Sequence, residues 1–501
     1  MGLNYDLLIR QSLIFDGSGD SPFEADIAVS GQHIAFIGDA GAATAIREID
    51  AAGLAVSPGF IDVHTHDDFA PFSHPDMGFK TRGGVTTCIV GNCGFGAAPL
   101  AAAKEVSGGI LPLDNVSSYE GHRGYAAALE SCALGANIGV LAGHGTFRMA
   151  AMGRKDQVPD DREMRLMKSH LQEALEAGVF GLSTGLIYEP GRNALTDEIA
   201  DLASEMRGTK ALYATHMRDE GPGLVDSVKE TIEIGRTAGV PVQISHHKAA
   251  GRSNWGLVQQ SLAEIEAAQA RGENVHADQY PYTAGSTKLQ AVLQNGALTP
   301  EGGIGDPGIA SARPEDIVVA SAPGHQEWEG QSIAELAALF GLSPRSTAEK
   351  IATDCPGTSV VLHLMSEDDV QTVMRHSSTM IGSDGIPTLD GKPHPRLYNS
   401  FARVLGHYAR DLKLMSQASA IHRMTEMSAK KFGLVGRGRL AEGCFADLVL
   451  FDADNIIDRG TYKRPNQYPD GIHLVVVNGH IVVEHDRVVP AGSGTVLRRV
   501  D

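Results

Sequence analysis

Between residues 56 and 383 the chain repeats one pattern: a short run of β-branched and small apolar residues, then a helical stretch, then another run. The runs fall at 56–64, 85–90, 137–141, 179–183, 211–216, 240–246, 275–280 and 379–383. Between two of them, residues 161–177 form a clear amphipathic helix. Met164, Met167, Leu171 and Leu175 lie on one stripe, Asp160 is placed to cap the start and Gly178 to stop the end. Eight strands alternating with helices predict an α/β fold, a (β/α)8 TIM-like barrel, with residues 290–356 as an insertion before the eighth strand. A doubly wound open sheet is the competing topology. It requires a glycine-rich phosphate turn after the first strand, and Pro58-Gly-Phe-Ile-Asp-Val-His64 offers none.

The two ends of the 501-residue chain read differently. Short β-type runs at 6–10, 12–15, 26–29 and 33–37 are separated by turns such as Asp16-Gly-Ser-Gly-Asp20. The last residues match them in kind, with runs at 446–452, 473–477 and 480–484. Asn478-Gly479 joins the last two, a pair suited to a hairpin turn in which both residues take positive φ. The expected organisation is a small β-sandwich domain built from residues 1–55 and 435–501, with a catalytic barrel over 56–434.

Lys and Arg number 42 against 61 Asp and Glu, a formal net charge of −19, and basic residues form no run. That balance argues against nucleic-acid and anionic-membrane partners, which demand basic patches. Five cysteines, few and odd in number, do not suggest a disulfide framework and point to a reducing compartment. The first residues lack a basic segment followed by an apolar stretch, and no run of eighteen apolar residues occurs. A soluble, cytoplasmic protein is expected.

The predicted strand ends carry the chemistry. The first ends in His64-Thr-His66, whose alternate residues face the same way at the mouth of a barrel. Alone, the pair is read equally well as two hydrogen-bonded histidines. The fifth strand ends in His216 and the sixth in His246, so four imidazoles converge from three strands, a pattern that suits zinc. His247 must point away from its neighbour and is expected to be structural. The eighth strand ends in Ser383-Asp384-Gly385, commonly a turn; within this set Asp384 is a candidate general acid and base. The second strand runs into Gly91-Asn-Cys93-Gly94, where a thiolate between glycines can approach a metal, whereas Cys88 within its strand reads as a small buried hydrophobe.

Together, Val56-Ser-Pro-Gly-Phe-Ile-Asp-Val-His-Thr-His66, Gly91-Asn-Cys-Gly94, Tyr213-Ala-Thr-His-Met-Arg-Asp-Glu220, Ile244-Ser-His-His-Lys248 and Ser383-Asp-Gly385 resemble the amidohydrolase superfamily, in particular its N-acyl-D-amino-acid deacylase (D-aminoacylase) branch. The resemblance runs nearly end to end. It implies a tight zinc held by Cys93, His216 and His246, and a second, weaker site of His64 and His66 with Cys93 as a bridge. It also implies Asp384 as the acid and base for a zinc-bound hydroxide attacking an acyl carbonyl. The fourth strand, Val179-Phe-Gly-Leu-Ser-Thr-Gly185, lacks the lysine that bridges metals in many relatives, which counts against a hydantoinase or dihydroorotase. A non-catalytic scaffold that keeps the barrel is a further rival, disfavoured because every candidate ligand is present.

A small-molecule N-acyl amino acid carries a free carboxylate, for which Arg396 and Lys248 are the candidate partners near the rim. The resemblance adds Tyr280 and Ser286 to that pocket, with Tyr188 lining it. Lys288 shares a strand face with Ser286, so it either reaches the pocket or faces solvent. The reading favours neutral, hydrophobic D-residues as substrates and keeps acidic ones open.

Overall fold

The computed structural model describes residues 4–109, 111, 113, 115–294, 312–490 and 492–501, so residues 295–311 of the expected insertion lie outside the described residues. The barrel strands are Phe60–Asp62, Val85–Val90, Asn137–Val140 with Ala142–Gly143, Gly181–Gly185, Leu212–His216, Val242–Ile244, Val275–Gln279 and Thr379–Ile381. Neighbours along this series pair in parallel, as in Gly185 opposite His216 and Ala277 opposite Thr379. The ring closes between its first and last members: Asp384 N donates to His64 O at 2.7 Å and His66 N to Gly385 O at 3.0 Å. Closure therefore occurs at the residues expected to carry the chemistry.

The helices follow the periodicity read from the sequence. Asp161–Ala177 is helical, begins with a capping box in which Asp160 and Glu163 satisfy each other's backbone amides, and ends at Gly178 with φ +90°. It buries Met167 and Leu171 fully, while Met164 and Leu175 pack at the edge of the barrel core.

Both termini enter one hydrogen-bonded sheet of nine strands. Asn4–Ile14 pairs with Phe23–Ser30, Thr44–Asp50 and Ala55–Pro58, and Ala55–Pro58 in turn pairs antiparallel with Leu448–Phe451. Ile9, Ile27, Val56, Leu448 and Leu474 fill the core of this unit from both ends of the chain. Asn478 and Gly479 take φ +48° and +81° between Ile472–Val477 and His480–Glu484, the hairpin turn their residue types favour.

The first run departs from expectation. Residues 56–64 do not form one strand: Ala55–Pro58 belongs to the terminal sheet and Phe60–Asp62 to the barrel. The chain crosses between the two at Gly59, where the backbone packs on Thr86 so closely that a Cβ would lie 2.6 Å from the threonine Cβ. Only glycine fits this crossover.

Between the seventh and eighth barrel strands stands a small α/β unit. Ser359–Leu362 is the central strand, flanked antiparallel by Gly285–Lys288 and Ile317–Ser321. Leu289, Val319, Trp328, Leu336 and Val360 share its separate core. It delivers Ser286, Lys288 and Leu362 to the barrel mouth. Among the described residues, no helix is long and apolar enough to cross a membrane.

Gly59→Ala is expected to lower stability by about 1–3 kcal/mol, since the added methyl meets a Thr86 side chain fixed within a buried strand. Differential scanning fluorimetry will show this as a lower melting temperature than wild type.

Candidate active site

Cys93 lies at the centre of the barrel mouth. Its Sγ is 3.4 Å from His64 Nε2, 3.5 Å from His246 Nε2 and 3.8 Å from His216 Nδ1, and all four residues are buried. His66 and His64 meet Asp384 Oδ1 through their Nε2 atoms at 3.2 and 3.5 Å. Cys93, His246 and Asp384 adopt φ of +53°, +35° and +49°. Three non-glycine residues in the left-handed region at one site cost energy that packing elsewhere must offset, a pattern typical of functional sites.

The electrostatics separate charge within a small volume. Burial pushes the Cys93 thiol up, but the His64 imidazole and hydrogen bonds from His216 and His246 outweigh it and hold the thiol well below its ordinary range. Burial likewise opposes ionisation of Asp384, and the Arg396 guanidinium, followed by His246 and His64, holds its carboxyl well below the usual carboxylate range. A thiolate, a carboxylate and imidazole nitrogens are therefore presented together.

This donor set fits zinc. A tetrahedral zinc with one thiolate and imidazole ligands separates S and N donors by roughly 3.5 Å, and the distances from Cys93 bracket that value. Three overlapping groups have ligand atoms close enough to share an ion: His64, Cys93 and His246; His64, His66 and Asp384; His216, Glu220 and His246.

Two carboxylates that sequence reasoning did not assign hold the imidazoles from outside. Glu220 Oε1 lies 2.9 Å from His246 Nδ1 and its Oε2 3.6 Å from His216 Nε2, the nitrogens facing away from Cys93. Burial raises the Glu220 carboxyl, while Lys248, His216 and His246 pull it well below the carboxylate range. Asp278 Oδ1 lies 3.2 Å from His64 Nδ1 and accepts the His246 backbone N–H at 2.8 Å. Such outer partners fix which ring nitrogen faces inward. Glu220 stood within the motif Tyr213–Glu220, four residues past His216, and Asp278 two residues before Tyr280; no spacing rule marked either.

The expected substrate-binding residues gather at the same cleft. Tyr188, Lys248, Tyr280 and Ser286 line it, and Tyr188 OH meets Thr287 Oγ1 at 3.0 Å. Arg396, 1% exposed, stands behind this wall: its Nη1 is 2.9 Å from Asp384 Oδ2, its Nη2 donates to Ser286 O at 3.3 Å, and its guanidinium carbon lies 4.5 Å over the Tyr280 ring. Its Nε makes no hydrogen bond. The Lys248 ammonium is more committed than the sequence suggested, lying 2.5 Å from Glu220 Oε1 and 2.9 Å from His246 Nδ1. His247 turns away, as expected, to Ser261 Oγ at 2.8 Å, and Cys88 is buried in the barrel core. No lysine occupies Gly181–Gly185, where Ser183 instead bonds Gly91 O and Gly94 N.

A barrel closed at its metal-donor strands, with a β unit drawn from both chain ends, defines a class, and comparison with known proteins agrees. The amidohydrolase family model matches residues 47–483, and the chain belongs to that family. Within it the chain is similar to D-aminoacylase of Alcaligenes xylosoxydans xylosoxydans, 39% identical over 99% of this chain and 98% of that protein. N-acyl-D-glutamate deacylase of the same organism is 38% identical over 99% of this chain and 96% of its own. The crystal structure of N-acyl-D-glutamate deacylase from Bordetella bronchiseptica, complexed with zinc and a phosphonate mimic of the tetrahedral intermediate, superposes with a TM-score of 0.89. Its identity is 37%, covering 99% of this chain and 100% of that one.

Beneath the donors, Lys80 is buried among charges. Its Nζ donates at 2.8 Å to Asp62 Oδ2, Thr65 Oγ1 and Ser383 Oγ, and lies 3.4 Å from Asp67 Oδ2. Lys80→Met would leave Asp62 and Asp67 without their cation and is expected to cost about 3–5 kcal/mol. Adding Asp62→Asn should recover part of that loss in thermal or urea melts of the double variant.

Proposed function

We propose that this chain hydrolyses the amide bond of N-acyl-D-amino acids with zinc, releasing a carboxylate and a free D-amino acid. The observation that carries the reading is the meeting of Cys93, His216, His246, His64 and His66 around one point, with Asp384 between them and Arg396. Full-length similarity to enzymes named for D-aminoacyl and N-acyl-D-glutamate substrates supports the handedness.

Cys93, His216 and His246 would hold the tight zinc; His64 and His66, with Cys93, would hold the weaker second one. Zinc bound there lowers the pKa of water and polarises an amide carbonyl, the two demands of cleaving an unactivated amide. Asp384 accepts the proton of the attacking water and returns it to the departing amine nitrogen, which is otherwise a poor leaving group. It is ionised before substrate arrives, as a base must be, and sits 3.2 Å from His66 Nε2 at the mouth. Arg396 takes the substrate α-carboxylate, with Tyr280 stacked on its guanidinium and Ser286 beside it. Lys248 adds charge at the same wall while bridging Glu220 and His246. Tyr188 lines the cleft, its OH on Thr287 Oγ1.

Glu220 acts through the histidines. Glu220→Gln should lower zinc affinity by about 10–100-fold, measured by competition with a chromophoric chelator. Unchanged affinity would remove Glu220 from the positioning role.

The activity test uses zinc-loaded protein and panels of N-acetyl-D-amino acids, N-acetyl-L-amino acids and hydantoins. Amine release confined to the D series is expected; equal or better rates on the L series, or ring opening of hydantoins alone, would overturn the reading. Arg396→Ala is expected to abolish turnover while metal analysis still finds zinc.

A further inference from the structure

Arg396 answers one anion, and a second, half-buried cation faces the same cleft. Lys288 ends the strand Gly285–Lys288, two residues beyond Ser286 and on the same side of it; both line the cleft. Its Nζ lies 4.8 Å from the Phe95 ring centroid and donates to Val106 O at 2.6 Å, in the last turn of the helix Leu100–Ser107. Gly108 follows with φ +55°, and a Cβ there would stand 3.2 Å from the ammonium, so the glycine leaves the lysine its room.

An ammonium has three donors, and among the described residues Lys288 uses one. Lys431, deep at the opposite end of the barrel, shows how this fold satisfies a structural lysine: it donates to Val242 O, Asn274 O and Asn274 Oδ1 at 2.7, 3.0 and 2.9 Å. Lys80 and Lys248 have Asp62 and Glu220 as counter-ions. Among the described residues, no carboxylate pairs with Lys288. Burial, with the Arg154 guanidinium beyond it, lowers its ammonium to about 7, and Arg154 itself is exposed and paired with Glu105. A helix C-terminus alone supplies only weak compensation for a buried cation. What the position lacks is a paired anion; the ammonium borders both the cleft and a second recess lined by Glu105, Arg154 and Glu189.

We propose that Lys288 binds a second carboxylate of the substrate, the side-chain carboxylate of an acidic D-residue, so that the cleft selects dianionic N-acyl-D-amino acids over neutral ones. The inference rests on the deacylase reading and narrows its substrate class, reversing the preference for hydrophobic residues expected from the sequence. Two strand residues span roughly 7 Å, which sets Lys288 one short side chain away from the α-carboxylate held near Ser286 and Arg396. The acyl carbon must face Cys93 and Asp384. Ile187, Leu362 and Leu364 add apolar lining to the cleft.

The test measures kcat/KM of the zinc-loaded enzyme on N-acetyl-D-glutamate, N-acetyl-D-aspartate, N-acetyl-D-leucine and N-succinyl-D-leucine, for wild type, Lys288→Met and Lys288→Gln. Wild type is expected to favour an acidic residue over leucine by about tenfold or more. In both variants the acidic-to-neutral ratio should fall by about 10–100-fold, the scale of a lost charge-assisted hydrogen bond. Lys288→Gln can still donate to Val106 O, so a ratio lost in Met but kept in Gln would assign Lys288 to capping the helix and overturn the proposal. Wild-type preference for leucine would overturn it without any variant. Selective loss of the N-succinyl substrate would place the second anion on the acyl group and overturn the side-chain assignment. Turnover of neutral D-substrates with no acidic preference defeats this inference alone, whereas no turnover of any N-acyl-D-amino acid defeats the deacylase reading together with it.

Discussion

Lys80 donates its three protons at 2.8 Å to Asp62 on the first barrel strand, Thr65 just beyond it and Ser383 past the eighth. Asp62 completes the circuit by accepting from Ser383 N at 2.8 Å and Ser383 Oγ at 2.6 Å. A buried ammonium is costly unless it is paired and hydrogen-bonded, and here that requirement fixes where the first and last strands meet. Seven of the eight inter-strand seams arise from neighbours in the series; the eighth must join strands more than 300 residues apart. The polar circuit makes that seam specific. Apolar packing alone would accept a shifted register, whereas one that separated Asp62 from Ser383 would strand a charge.

The register set beneath the seam fixes the chemistry above it. Asp384 N bonds His64 O, and His66 N bonds Gly385 O, so the residues that present imidazole and carboxylate are also those that close the ring. A one-residue slip would turn His64 and His66 from the mouth to the opposite face. Asp278 and Glu220 repeat the same logic one shell out, each joining groups from different strands: Asp278 meets His64 and the backbone of His246, and Glu220 meets His216, His246 and Lys248. Cys93, reaching in from the second strand with positive φ, gives these elements a shared centre, and the strand Gly181–Gly185 beside it carries no lysine.

Much of this was legible in one dimension because periodicity and strand-end position are local. The helix Asp161–Ala177 announced itself by its stripe and both caps, and His64, His66, His216, His246, Cys93 and Asp384 by falling at the ends of apolar runs. The crossover at Gly59 was not legible, because nothing in Val56-Ser-Pro-Gly-Phe-Ile-Asp says that its halves pair with different sheets; the reason lies in the Thr86 side chain, 27 positions away. Glu220 and Asp278 were hidden for a related cause. Carboxylates are common near turns, and only the three-dimensional approach of His216 and His246 gives Glu220 two rings to hold. Lys248 was found but half understood: its proximity to His246 in sequence placed it at the rim, while its engagement by Glu220 depends on the neighbouring strand.

The net charge of −19 poses the substrate problem in its sharpest form. An acidic molecule that binds an anion must concentrate cations locally, and long-range attraction gives it no help at physiological ionic strength. On the proposed reading the mouth would meet that need through Arg396 and two half-buried lysines, Lys248 and Lys288, but these cations differ in how much charge they can offer a ligand. Lys248 is largely neutralised by Glu220, and Arg396 by Asp384. Lys288 alone of the three has no carboxylate partner among the described residues; it lies against the Phe95 ring in a cleft also lined by Leu111 and Leu362, and such apolar lining strengthens charge interactions made there. The apolar lining of this cleft therefore does not define it as a hydrophobic pocket. Apolar walls beside an ammonium that has no carboxylate partner among the described residues make the arrival of a carboxylate more favourable than the same contact in water, and the arriving charge in turn favours the protonated lysine.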